Sequence, residues 1–224
     1  MIGCKGSHFE KDIMLWGVRW YVANPLSSRQ LEESQARGGA VDHATLNREV
    51  LTYAPEVELP FRRRQQPVGR SWRMDDTSVR GIGQWNCGYR AVDNEGHTMD
   101  VLLNPNRDRD AAEAFVHTAI RTQGLSAKIT IDQSGAKTQA IEPDNRDLHT
   151  ASRIRHATYL NHLMEQDCRA VKRLVRPMFG FTFCWAACGT IAGIEVLHAT
   201  RKGQWAHTGE GYQTPAEQFY SLAA

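Results

Sequence analysis

No stretch of this chain is long and apolar enough to read as a membrane span. The most hydrophobic run near the N-terminus, Ile13 to Trp16, is far too short, and no basic-then-apolar leader precedes it. Cysteine is sparse and odd in number. Cys4, Cys87, Cys168, Cys184 and Cys188 form no CxxC pair and no Cys/His cluster at zinc spacing, which argues against a zinc module or a thiol framework. Reduced thiols and a cytoplasmic location are the expectation. Net charge is also nearly absent, at +2, so the bulk balance neither requires nor forbids a nucleic-acid partner. Internal repeats and low-complexity tracts are missing, which excludes a solenoid. What remains, 41% hydrophobic and 23% charged residues over 224 positions, suits one compact domain with a small additional module.

The charge is unevenly spread. Arg62, Arg63, Arg64, Arg70 and Arg73 crowd one stretch, and Arg169, Lys172, Arg173 and Arg176 another. Such patches suit a phosphate backbone or, equally, a solvated face.

Along the N-terminal third, Phe9, Ile13, Trp16 and Trp20 recur at helical intervals and predict a helix over 9–22 with these side chains, the tryptophans included, on its packed face. Asn24-Pro25 stops it, and Ser27 with Gln30 has capping-box spacing for a second helix, broken at Gly38-Gly39. Asp42 can cap a third helix, His43 to Tyr53, which Pro55 is expected to end. This triplet describes a helix-turn-helix module over 1–55, or an ordinary helical support; in the first case His43, Thr45, Asn47 and Arg48 could reach base edges. Residues 56–70, with Pro60, Pro67 and the arginines, read as a basic linker.

The next segment changes period. Ser71–Arg80, Gln84–Asp93 and His97–Asn104 alternate like strands, separated by Gly81/Gly83 and by Asp93-Asn94-Glu95-Gly96. Asp108 caps a helix carrying Phe115 and Ala119; Lys128–Asp132 is a short strand; Arg153–Ala157 suggests another. Helical patterns return over 160–178 and 181–199, and the tail, 205–224, is less regular. Strands, helix, strand and helices in this order predict an α/β, ribonuclease-H-like mixed-sheet catalytic core over 71–204.

Asp75 lies inside the first strand, where a charge needs a partner or a functional site. Asp132 ends the short strand, and Glu165 lies in a helix beginning near Asn161 whose Arg169, Lys172 and Arg176 fall near its own face. Carboxylates are the oxygen ligands that hard divalent ions require for phosphodiester displacement. Asp76 points to the opposite face from Asp75, Asp93 belongs to a turn, and Asp167 lies off the Glu165 face. Trp72 is read as packing, and Cys168 as a small buried side chain.

The same residues carry a family resemblance. Trp72-Arg73-Met74-Asp75-Asp76-Thr77, Tyr89-Arg90-Ala91-Val92-Asp93, Ile131-Asp132 and Tyr159-Leu160-Asn161 through Glu165-Gln166-Asp167 follow one another in order. So do Arg169-Ala170-Val171-Lys172-Arg173, Arg176-Pro177-Met178 and Arg201-Lys202-Gly203-Gln204. Together they resemble the blocks of DDE transposases of insertion-sequence family six. The resemblance implies catalytic and metal-binding Asp75, Asp132 and Glu165 and magnesium or manganese, two ions to a site. It also implies a helix-turn-helix that reads terminal inverted repeats, 3′-end hydrolysis and strand transfer, DNA contact by Lys172, and an assembly of at least two copies on double-stranded DNA. Asp76, Gln133, Cys168 and Glu49 stand where the family pattern has glutamate, lysine, histidine and tryptophan. They leave a second reading, a weakly active or inactive copy that binds DNA and represses; a third reading is a metal-dependent nuclease of the same fold that cuts without joining.

Overall fold

The computed structural model describes residues 11–25, 43–81, 85–106, 108–131, 153–156, 162–178, 180–181, 183–205 and 213–223. They divide into two compact units, one of residues 67–170 and one that joins residues 1–66 to 171–224.

The first unit is a sheet. β1 (Ser71–Arg80), β2 (Trp85–Asp93) and β3 (Thr98–Asn104) form an antiparallel meander within a residue of the predicted bounds. The turn between β2 and β3 is built by Asp93. Its carboxylate accepts from the backbone N–H groups of Gly69, Glu95 and His97, and Gly96 takes a positive φ of 85°. β4 (Lys128–Ile131) and β5 (Arg153–His156) add in parallel on the other side of β1, so the order is β3-β2-β1-β4-β5. This is the ribonuclease-H-like arrangement expected.

Alternation along β1 sorts its side chains. Trp72 and Met74 join Tyr89, Ala91, Ile129 and Ile131 on one face, covered by Ala112, Phe115 and Val116 of α3 (Arg109–Gln123). Asp108 caps that helix through Ala111 N–H at 2.9 Å, and the Tyr89 hydroxyl donates to the Asp108 carbonyl at 3.2 Å. The opposite face carries Val92, which packs with Met164 and Cys168 of α4 (His162–Val175). Cys168 is therefore a packing residue, as read.

The helical unit contains α1 (Lys11–Ala23), α2 (His43–Arg64), α5 (Cys184–Arg201) and α6 (Pro215–Ala223), with the last turn of α4 and a 3-10 turn at Arg176–Met178. The structure corrects several expectations here. Pro55 does not end α2, and 56–64 is not linker: the helix runs through Pro55 and Pro60 to Arg64. Each internal proline removes a hydrogen bond and costs about 3 kcal/mol. Val50, Ala54, Val57 and Phe61 form one fully or nearly buried stripe across both prolines, and that burial offsets the cost. On α1 the buried side chains are Met14, Leu15, Val18, Tyr21 and Val22, whereas Trp16 and Trp20 are 39% and 37% exposed with their rings 5.3 Å apart. The tail contains a helix that was not expected. Thr214 accepts from Glu217 N–H while Glu217 accepts from Thr214 N–H at 2.7 Å, a capping box with Pro215 at the first helical position. The proposed second helix and the Gly38-Gly39 turn lie outside the described residues. Among the described residues no helix is long and apolar enough to cross a membrane.

α5 approaches α1 and α2 at Gly193, where an added Cβ would lie 2.8 Å from Ala54 Cβ and 3.0 Å from Val22 Cγ1. Gly193→Ala is expected to destabilise the protein by about 1–3 kcal/mol through overpacking, read as a lower denaturant midpoint at unchanged slope. Asp93 supplies the pH dependence. Burial pushes its carboxyl up, but the N–H donors of Gly69, His97 and Glu95, with the His97 ring, outweigh burial and hold it below the ordinary value. Its stabilisation is complete above the ordinary aspartate pKa and is lost as pH falls through the lowered one. Asp93→Asn should therefore flatten the acid limb of a plot of urea midpoint against pH.

Candidate active site

The site begins with the register of β1 against β2. Asp75 pairs with Arg90, so both side chains lie on the sheet face that α4 covers. Asp75 is half-buried, and one of its oxygens accepts the Asp76 N–H at 2.8 Å. Asp76 faces the other way, where it accepts from the Cys87 thiol at 3.7 Å in the α3-covered layer. The single-residue offset thus places one acid on the α4 face and the next in the opposite core.

Arg90 is buried in the middle of the sheet. Its Nε donates to Asp167 of α4, also buried, and its Nη2 donates to Thr98 Oγ1 at 3.1 Å. Asp167 and Glu165 are two positions apart on one helix, hence on roughly opposite sides. With Asp167 drawn into the sheet, Glu165 is 56% exposed, its carboxylate 3.8 Å from His162 Nδ1. The register partner of Asp75 is therefore tied to the helix bearing Glu165 through one ion pair. Asp132 lies outside the described residues, immediately after the last described residue of β4. Among the described residues no group of three or more His, Cys, Asp and Glu side chains comes together.

The basic candidates are all at the surface. Arg169, Lys172 and Arg173 are exposed on α4, and Arg176 is exposed in the following 3-10 turn. On α2, Asn47 and Arg48 are exposed and Thr45 is half-buried, while Leu46 and Val50 turn inward. The His43 side chain lies outside the described residues. Arg90 and Asp167 were not singled out as a pair by sequence reasoning. The available signal was an arginine inside the otherwise apolar run Tyr89–Val92, a charge that burial allows only with a partner.

A family model described as a DDE domain matches residues 69–204. The transposase for insertion sequence element IS257 in transposon Tn4003 of Staphylococcus aureus is 33% identical over 202 residues, covering 87% of this chain and 86% of that protein. The transposase for insertion sequence-like element IS431mec of Staphylococcus aureus strain Mu50 matches with the same identity and coverage. Among solved structures, the HTLV-2 integrase catalytic core domain in complex with magnesium superposes with a TM-score of 0.47 at 17% identity, covering 63% of this chain and 98% of that one. A simian T-cell lymphotropic virus intasome gives a TM-score of 0.48 at 13% identity, covering 89% of this chain and 77% of that one. The chain belongs to the DDE transposases of insertion-sequence family six.

Removing one partner of the Arg90–Asp167 pair leaves a buried charge uncompensated. Arg90→Met is expected to cost about 3–5 kcal/mol in a denaturant titration. Arg90→Met with Asp167→Leu should recover much of that loss, which separates the unpaired charge from the packing.

Proposed function

We propose that this protein binds the terminal inverted repeats of an insertion element, hydrolyses the element's 3′ ends and joins them to target DNA, with Asp75, Asp132 and Glu165 as the catalytic acids. The observation that carries the reading is the shared sheet face: Asp75 on the central strand and the Glu165 helix are held together by the Arg90–Asp167 pair. The family membership supports it, as do the names of the S. aureus relatives, both transposases.

The donor set fits a divalent metal. Three carboxylates supply the oxygen ligands that magnesium or manganese prefers, and the half-buried setting of Asp75 limits competition from water. A pair of such ions would supply activation of the attacking oxygen and stabilisation of the leaving one. The chain's own contributions are orientation and charge. Asp75 is fixed by the sheet, and Glu165 by a helix anchored at Asp167. Arg169, Lys172, Arg173 and Arg176 hold DNA phosphates, with Lys172 two turns beyond Glu165 on the same helix face. Asn47 and Arg48, with His43 and Thr45, read element ends from α2 as part of a helix-turn-helix. Two ends must be processed together, so the working assembly is at least a dimer on duplex DNA.

The test is strand transfer in vitro with labelled element-end DNA, a plasmid target and magnesium. The native chain is expected to give joined product, abolished by chelation and by Asp75→Asn, Asp132→Asn or Glu165→Gln, with end binding retained. End binding without joining by the native chain would replace this reading with a DNA-binding repressor, and cleavage without joining with a nuclease.

A further inference from the structure

We propose that Arg19, Arg173 and Arg201 form a separate phosphate-binding site on the helical unit, which holds the backbone of duplex DNA. The three arginines come from three helices, α1, α4 and α5. Arg201, in the last turn of α5, reaches the Ala23 carbonyl with Nη2 at 3.5 Å, which places its guanidinium at the C-terminal end of α1. Arg19 lies one turn earlier on α1, with its guanidinium 5.7 Å above the Tyr220 ring of α6 and its Nε buried without a hydrogen-bond partner among the described residues. Arg173 is brought to the same unit by its neighbour Leu174, which packs in one core with Val18 and Val22.

The electrostatics of the group favour an anion. Burial, then the charges of Arg19 and Arg173, push the Arg201 pKa down. Among the described residues none of the three arginines is in a salt bridge. Like charges gathered from separate elements repel one another, and an arrangement of this kind is relieved by a bound polyanion. Guanidinium groups match phosphate oxygens through paired N–H donors. DNA backbone is the occupant because Arg173 belongs to the exposed basic strip of α4, which continues through Arg169, Lys172 and Arg176. Arg19 and Arg201 extend that strip onto other helices. The inference rests on the reading of the chain as a DNA-acting transposase and adds phosphate contacts on the helical unit.

The test measures binding of the full chain to a duplex oligonucleotide in chelator over a range of salt concentrations. For Arg19→Gln with Arg201→Gln, the slope of log affinity against log salt is expected to fall by about 2, one for each lost phosphate contact. Arg201→Gln alone should lower it by about 1, which keeps the test decisive if the double variant does not fold. Arg201→Lys should preserve the slope, and the unfolding midpoint of Arg201→Gln should be unchanged or raised because repulsion is relieved. Equal slopes in native and Gln variants would overturn this site and leave the DNA reading standing. No duplex binding by the native chain would overturn both.

Discussion

The ion pair between Arg90 and Asp167 is the constraint around which the sheet unit is organised. A buried charge pair is costly to desolvate, and its retention demands that further polar atoms be satisfied. Thr98 on β3 meets that demand by accepting from Nη2 of the guanidinium whose Nε serves Asp167. A lysine has no rigid fork with which to reach both partners from the middle of a strand. The neighbouring register shift between Ala91 and Val92 bends the ladder beside this point. The apolar contacts of Val92, Met164 and Cys168 then close around the pair. The rotation of α4 about its axis follows from where Asp167 must sit, and with it the outward position of Glu165.

The legible parts of this molecule were those decided locally. Strand alternation and the Asp93-Asn94-Glu95-Gly96 turn set the three antiparallel strands, because period and turn chemistry act over a few residues. The same alternation separated Asp75 from Asp76, and the Asp108 cap was visible as an acid before an apolar run. The parts that were not legible depend on distant partners. Pro55 and Pro60 look like stops until Val57 and Phe61 are seen to be buried. α1 is apolar on more than one side, and only its neighbours determine that Val18 faces inward while Trp16 stays at the surface. The Arg90–Asp167 pair joins residues 77 positions apart: an arginine in an apolar run calls for a partner, but nothing local says which acid it is. The capping box at Thr214 is a different case: its signal, a threonine with glutamate three residues on and proline between, was present in the sequence but went unread. Of the three acids, Asp75 and Glu165 stand on the elements assigned to them, and Asp132 falls outside the described residues.

The helical unit draws its core from both ends of the chain. Val18, Val22, Leu46 and Val50 come from the first segment, and Ile194, Leu197, Phe219 and Leu222 from the last. During synthesis the N-terminal helices leave the ribosome long before the residues that cover them. The sheet unit, contiguous from 67 to 170, is complete first. The apolar faces of α1 and α2 must wait for α5 and α6 to emerge. A ribosome that stalls or a frame that shifts after the sheet unit would release a chain carrying Asp75 and Glu165 but lacking the hydrophobic partners of its N-terminal helices. Such a product would expose Val18, Val50 and Phe61 to water and to proteases. Interleaving the chain in this way makes translation of α6 a condition for completing the core that covers the N-terminal helices.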